Sequence, residues 1–163
     1  MQSERKHKAN QLKEKGNVAF RNEKYLDAEK FYSEALKIDI GSRPLWKNRA
    51  ACRNLLKKFE EAISDCDTAL SIDSKCTRSI IEKGIALLGL RRFDEAKEVF
   101  ESLRPLGREA SADFYLKKLH DIQDRISPLN SVTLILQNQI EISVKFLKAA
   151  VKKTKKKQKR RQK

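Results

Sequence analysis

Small and apolar residues recur along the first two-thirds of the chain at a constant spacing of 34 residues. Three successive segments carry the same kind of side chain at six positions, and no insertion interrupts the register. The six columns are Gly16, Ala50 and Gly84; Tyr25, Phe59 and Phe93; Asp27, Glu61 and Glu95; Ala28, Ala62 and Ala96; Tyr32, Cys66 and Phe100; and Ala35, Ala69 and Leu103. Within each segment the apolar positions lie three or four residues apart, which predicts two amphipathic helices. Neither helix can bury its apolar stripe alone, so the segments are predicted to stack.

The side-chain sizes in these columns predict how the two helices of a segment meet. Glycine or alanine in the first column lets the second helix approach the first closely, and the alanine column does the same from the other side. The column of Tyr25 is predicted to lie at the turn and to close the end of each segment. Acidic pairs such as Glu60–Glu61 and Asp65–Asp67 are predicted to be solvated residues on helix surfaces.

The residues that follow the third segment predict two further helices and a tail. An apolar stripe over 111–126 predicts a capping helix that covers the last segment. Ser127–Pro128 is predicted to end this helix, because proline disfavours helical geometry in the preceding residue. A final helix is predicted over 131–151, and its apolar residues surround more than one face, so we expect it to pack against the end of the array or against another chain. Residues 152–163 are predicted to be a disordered basic tail.

The period and the columns together resemble the tetratricopeptide repeat. The resemblance implies an all-α fold, in which three helix-turn-helix units form a right-handed helical solenoid over residues 9–110, followed by the capping helix and the C-terminal helix. The units would be repeat 1 (9–42), repeat 2 (43–76) and repeat 3 (77–110). The proline often found near the end of such repeats is absent, Cys66 replaces an aromatic residue, and Leu103 replaces an alanine.

The first helices of the repeats also resemble the carboxylate-clamp subset of this family, which grips the C-terminal Glu-Glu-Val-Asp of the 70- and 90-kDa heat-shock chaperones. That pattern matches Lys13 and Asn17 in repeat 1, Asn48 in repeat 2 and Arg78 in repeat 3. The resemblance implies that the two cations pair with carboxylates of the peptide and that the two asparagines donate hydrogen bonds that orient it. Glu82 stands at the fifth position of the pattern, where a lysine or arginine is expected.

Glu82 changes what such a clamp is expected to do. It lies one helical turn after Arg78, which predicts an ion pair between the two side chains. The pair would lower the positive potential, and losing one charge-assisted contact with a ligand costs about 1.5–3 kcal/mol. The predicted groove also contains two cations able to compensate and three aliphatic side chains, which are Lys47, Lys83, Ile81, Ile85 and Leu88. The aliphatic residues favour a peptide with an aliphatic residue near its acidic end.

Most of the net charge belongs to the tail. The 163 residues carry 37 lysines and arginines against 22 acids, a formal charge of +15. Nine of these basic residues and no acid lie in 152–163, so the repeats are nearly balanced. The tail has three interpretations: a solubilising end, a nuclear-import signal, or nonspecific contact with nucleic acid or another acidic surface. The cluster that resembles an import signal is Lys155, Lys156, Lys157, Lys159, Arg160 and Arg161.

The sequence contains no catalytic or metal-binding constellation. A glycine-rich phosphate loop, a His-Glu-x-x-His motif and a serine or cysteine placed with a histidine base are all missing. The three cysteines form no CxxC pair and, with two histidines, make no metal-ligand pattern, so they are expected to be buried free thiols. We therefore expect neither an enzyme nor a cofactor. An apolar run of spanning length and a secretory signal core are also missing, so a membrane or disulfide-rich secreted protein is not expected.

The resemblance implies a non-catalytic protein–protein interaction module in the cytoplasm, a co-chaperone or adaptor that docks the acidic C terminus of a heat-shock chaperone. Asp65-Cys66 and residues 73–78 locally resemble a family member linked to assembly of axonemal dynein arms, which implies a part in that process. Two alternatives stay open. One is a scaffold that binds a different partner peptide, and the other is association with nucleic acid or the import machinery through the tail, which would place the protein in the nucleus.

Overall fold

The computed structural model describes the backbone of residues 2–161, and it describes their side chains except at 2, 128–130, 141, 143–144 and 146–161. This part of the chain is helical, with one short 3-10 turn at Arg104–Leu106 and no strand. The seven α-helices, α1 to α7, are Gln2–Arg21, Tyr25–Ile38, Arg43–Leu55, Phe59–Ile72, Thr77–Gly89, Phe93–Glu101 and Glu109–Arg161. The chain divides between Leu119 and His120 into two compact parts.

The 34-residue period of the sequence is present in the helices. The second helix of each repeat begins at the aromatic column, at Tyr25, Phe59 and Phe93. The first helix of each repeat ends at the same spacing, at Arg21, Leu55 and Gly89. The all-α fold of repeated helix pairs predicted from the sequence is therefore confirmed.

A left-handed residue follows the first helix of every repeat. The three residues have a φ of 60° although none is a glycine, and they are Glu23, Lys57 and Arg91. In each turn the next residue donates its amide to the carbonyl five residues back, at 2.8–3.0 Å, as Lys24 does to Ala19. This is the Schellman arrangement, which usually uses glycine. A left-handed non-glycine residue costs about 1–2 kcal/mol, and the hydrogen bonds of the motif offset that cost.

Large aromatic rings of the second helices pack against small residues of the first helices. A Cβ atom built on Gly16 would lie 2.6 Å from Cε1 of Tyr32, and one built on Gly84 would overlap the ring of Phe100. In repeat 2 the corresponding residues are Ala50 and Cys66, both fully buried. Ala50 has one methyl group more than Gly16 and Gly84, and its partner Cys66 has no ring. The larger residue on the first helix thus explains why a cysteine can replace the aromatic residue on the second.

We expect Gly84→Val to lower the free energy of unfolding by about 1–3 kcal/mol, the usual cost of overpacking a filled core. The added carbons would have to occupy the space of the Phe100 ring. Gly41→Val is the matched control, because the nearest atom to a Cβ at Gly41 is 3.8 Å away. Chemical denaturation measures both variants. Equal stabilities of the two variants would contradict the close approach of α5 and α6.

A buried ion network, here called the Asp65 network, joins α2, α3 and α4. Asp65 is 1% exposed and accepts two hydrogen bonds from Arg49, at 2.9 and 2.7 Å. Arg53 Nη1 lies 2.8 Å from the same carboxylate. Arg53 also donates to Glu29 at 3.1 Å, and Lys58 donates to the other oxygen of Glu29 at 2.7 Å. Repeat 1 and repeat 2 are therefore joined by charge as well as by apolar contact.

Asp65 corrects one prediction from the sequence. Glu60, Glu61 and Asp67 are exposed as predicted, but Asp65 is buried. The reason is that Arg49 and Arg53 on α3 replace the water that a solvated carboxylate would have.

Glu29, at the other end of the network, has a perturbed pKa. Burial alone raises the pKa of this carboxyl group, but hydrogen bonds from Lys58 and Arg53 outweigh burial and hold the pKa below its ordinary value. The ionised form of Glu29 therefore stabilises the fold above its unfolded pKa, and this contribution is lost as the pH falls through the lowered folded pKa.

The start of α7 lies against repeat 3. Ala112 and Leu119 are buried in one apolar cluster with Leu87 and Phe100. The ring of Tyr115 stacks on Phe100, with a centroid distance of 5.0 Å. These contacts cover the last apolar face of the repeats, as a solenoid requires.

α7 continues where the sequence predicts a break. One helix runs over Glu109–Arg161, through Ser127 and Pro128, so the break predicted there is wrong. An interior proline costs about 3 kcal/mol or more, because it removes one backbone hydrogen bond and its ring clashes with the preceding turn, but α7 continues through Pro128. The disordered tail over 152–163 stays a prediction.

The part of α7 after His120 presents apolar side chains to solvent. Six of them are between 53% and 63% exposed, and they are Val132, Leu134, Ile135, Leu136, Ile140 and Ile142. Among the described residues, no helix combines the length and the apolar character that crossing a membrane requires.

Candidate functional site

A cavity of about 310 Å³ opens beside the first helices of the three repeats. Its lining residues are Asn17, Phe20, Arg21, Tyr32, Lys47, Asn48, Ala51 and Arg78. Three of the five predicted clamp positions, Asn17, Asn48 and Arg78, thus come together, and the predicted groove residue Lys47 lies with them. Residues of α1, α2, α3 and α5 contribute, so the stacking of the repeats builds the cavity.

Tyr32 holds the two asparagines in one hydrogen-bonded group. Its hydroxyl donates to Oδ1 of Asn17 at 2.7 Å, and Nδ2 of Asn48 donates to the same oxygen at 3.2 Å. Nδ2 of Asn17 donates to Glu14 at 3.2 Å. Burial raises the pKa of Tyr32 to about 12, so its hydroxyl remains a donor at neutral pH. The orientation of Asn17 is therefore set before any ligand arrives.

The sequence assigns Tyr32 to packing alone. Its role in orienting Asn17 was missed, because a column of aromatic residues gives no sign that one ring carries a hydroxyl at hydrogen-bonding distance from an amide.

Three cations from three helices line the cavity. Arg21 comes from α1, Lys47 from α3 and Arg78 from α5, and no carboxylate is among the lining residues. Lys13, the first predicted clamp residue, does not line the cavity. Its ammonium group lies 3.7 Å from Glu14 and 3.5 Å from Oδ1 of Asn10. Of the basic residues of α1, Arg21 is therefore the one that lines the cavity.

Glu82 is buried beside Arg78 and does not line the cavity. It is 4% exposed, and one carboxylate oxygen lies 2.7 Å from Nη2 of Arg78, so the predicted intrahelical pair is present. Asn54 of α3 donates from Nδ2 to the other carboxylate oxygen and to the backbone carbonyl of Glu82, both at 2.9 Å. The sequence does not predict this buried position, because the partner Asn54 lies on a different helix.

The other predicted groove residues lie elsewhere. Ile81 packs against the apolar cluster of repeat 3, and neither Ile81 nor Ile85 lines the cavity. Lys83 is 2.6 Å from Asp67, outside the cavity, so of the two cations considered for compensation only Lys47 lies at the site. The sequence missed Arg21, although its position one turn after Asn17 would place both on one face of α1.

The described residues contain no group of three side chains placed to hold a metal ion. All three cysteines are buried and free, as predicted. Burial is the main cause that raises the pKa of Cys52 to about 12, which keeps this thiol protonated and unreactive at neutral pH. The side chains of the predicted import cluster, from Lys155 to Arg161, lie outside those described.

Comparison with known proteins finds similar repeats, although no protein-family model matches the chain. The chain is 33% identical to a solved structure, the first TPR of Spaghetti (RPAP3) bound to the HSP90 peptide SRMEEVD; the match covers 72% of this chain and 94% of that one, with a TM-score of 0.67. It is 36% identical over 94 residues, 55% of its length, to the Hsp70/Hsp90 co-chaperone cns1 of Schizosaccharomyces pombe. It is also 36% identical over 104 residues, 64% of its length, to Tetratricopeptide repeat protein 12 of Mus musculus.

The two curated relatives are much longer than the matched region. The chain spans 26% of the length of the first and 15% of the length of the second. The solved domain, in contrast, is matched over nearly its whole length.

Proposed function

This chain belongs to the tetratricopeptide repeat family, and from that premise we propose that its cavity binds the acidic C-terminal peptide of a 70- or 90-kDa heat-shock chaperone. The protein would act without catalysis, as a co-chaperone or adaptor in the cytoplasm. The local resemblance of its repeats to those of Tetratricopeptide repeat protein 12 supports a part in assembling axonemal dynein complexes.

The observation that carries this proposal is the composition of the cavity. Asn17, which Tyr32 orients, and Asn48, which donates to Asn17, lie among three cations, and no carboxylate is among the lining residues. Carboxylates accept charge-assisted hydrogen bonds from arginine and lysine, which are about twice as strong as those between neutral groups. A peptide that ends in aspartate presents two carboxylates at its last residue, so it matches this arrangement in charge and in hydrogen bonding.

The similar proteins support the same ligand class. The solved RPAP3 domain holds a peptide that ends in Glu-Glu-Val-Asp, and the yeast relative is named as a co-chaperone of Hsp70 and Hsp90.

Isothermal calorimetry with the peptide SRMEEVD tests the proposal. We expect Asn48→Ala to weaken binding about tenfold to a hundredfold, because a hydrogen bond to a charged group contributes about 1.5–3 kcal/mol. Asn22→Ala is the matched control, since Asn22 is an exposed asparagine outside the cavity. A peptide with an amidated C terminus should bind far more weakly than SRMEEVD. Undetectable binding of SRMEEVD to the wild-type chain at millimolar peptide would refute the proposed function.

A further inference from the structure

Arg21 is a cation of the cavity with no assigned task. It lies in the last turn of α1, is exposed and lines the cavity one helical turn beyond Asn17. No carboxylate among the described residues pairs with it. Nη2 of Arg78, in contrast, lies 2.7 Å from Oε1 of Glu82. The donors of Arg21 are therefore available in full to an incoming acid.

Only repeat 1 has a cation at this position. In the 34-residue register, Arg21 corresponds to Leu55 and Gly89. The repeat architecture itself therefore does not require a basic residue here, and the long aliphatic part of Arg21 is not needed to fill the end of the helix. A charged residue occupies this position only in repeat 1, where the side chain lines the cavity.

We propose that Arg21 binds a side-chain carboxylate of the peptide and so replaces the basic residue that Glu82 displaces from α5. This inference rests on the proposed function and adds a specificity-determining residue to it. Lys47 and Arg78 then supply the remaining cations, and the three positive groups come from three helices rather than chiefly from α5.

The geometry of α1 defines the ligand further. Lys13, Asn17 and Arg21 lie four residues apart on one face of the helix, and each step rises about 6 Å along the axis. An extended peptide advances about 3.3 Å per residue. A peptide that runs along α1 would therefore reach Arg21 about two residues before its end if the terminal carboxylate lies near Asn17, and about four residues before its end if the peptide extends beyond the cavity to Lys13. The inferred ligand class is a C-terminal peptide with an acidic residue two to four positions before its last residue.

The test compares three proteins with three peptides by calorimetry. The proteins are the wild-type chain, Arg21→Gln and Lys15→Gln, which removes the same charge from an exposed position of α1 outside the cavity. The peptides are SRMEEVD, SRMQEVD and SRMEQVD. We expect Arg21→Gln to weaken binding of SRMEEVD about tenfold and Lys15→Gln to weaken it less than about twofold.

The peptide variants identify the carboxylate that Arg21 binds. One of the two glutamine peptides should bind the wild-type chain more weakly than SRMEEVD, yet bind Arg21→Gln no more weakly than SRMEEVD does. The inference is wrong, while the proposed function stands, if Arg21→Gln and Lys15→Gln bind SRMEEVD with equal affinity. It is also wrong if SRMQEVD and SRMEQVD both bind Arg21→Gln more weakly than SRMEEVD does, as they bind the wild-type chain. If SRMEEVD does not bind the wild-type chain at all, both are wrong.

Discussion

Replacing Asp65 by alanine is expected to lower the free energy of unfolding by about 3–5 kcal/mol, the usual cost of removing one partner from a buried ion pair. The side chains of Arg49 and Arg53 are only 13% and 17% exposed. Without Asp65, Arg49 would lose its carboxylate and Arg53 one of its two. Urea denaturation followed by circular dichroism measures the loss.

Asp67→Ala is the matched control for this prediction. Asp67 lies on the same helix two residues later, and its side chain is 52% exposed beside Lys83. Exposed ion pairs contribute about 1 kcal/mol or less, so this variant should unfold close to the wild-type midpoint. If Asp65→Ala were as stable as Asp67→Ala, the network would contribute no net stability.

Glu82→Arg is expected to destabilise the fold by about 3 kcal/mol or more, because it places a larger, charged group at a buried site without a carboxylate partner. The pattern of clamp residues alone suggests a different result, a simple gain of affinity for the peptide. In the structure the new guanidinium would meet the Nδ2 donor of Asn54 and the guanidinium of Arg78, both of which now contact the Glu82 carboxylate. Thermal and chemical denaturation measure the effect.

Glu82→Gln separates charge from packing at the same position. Glutamine keeps the volume and an acceptor for Asn54 but removes the negative charge. Two charges near a protein surface interact by about 1 kcal/mol or more, so SRMEEVD should bind this variant about fivefold more tightly with little change in stability. A stable Glu82→Arg protein with increased affinity would contradict this prediction. It would show that the introduced arginine reaches solvent and that the sequence pattern alone describes the site.

The fold was predictable because side-chain size is constrained within each repeat. Gly84 must be small because the Phe100 ring occupies the space beside it, and the same need at Gly16 produces the visible period. Asp65 and Glu82 were not predictable in the same way. Their burial depends on Arg53 and Asn54, which lie on neighbouring helices and at no fixed spacing in the sequence.

The site was predictable in part for the same reason. Asn17, Asn48 and Arg78 converge because each occupies a repeated position on a first helix. Lys13 and Arg21 lie on the same face of α1, and the spacing alone does not say which end of that face borders the cavity. Helix α7 shows a further limit, because Pro128 raises the energy of a helix locally without deciding whether the helix continues.

The buried hydroxyl of Tyr32 has a consequence for how the cavity responds to acidity. None of the lining residues is a histidine or a carboxylic acid, the types whose charge changes most readily in weakly acidic solution. Tyr32, with a pKa of about 12, stays neutral throughout that range. The residues that line the cavity thus keep a constant charge in weakly acidic solution, so a loss of affinity on acidification would arise from carboxylates outside this lining, above all those of the peptide itself.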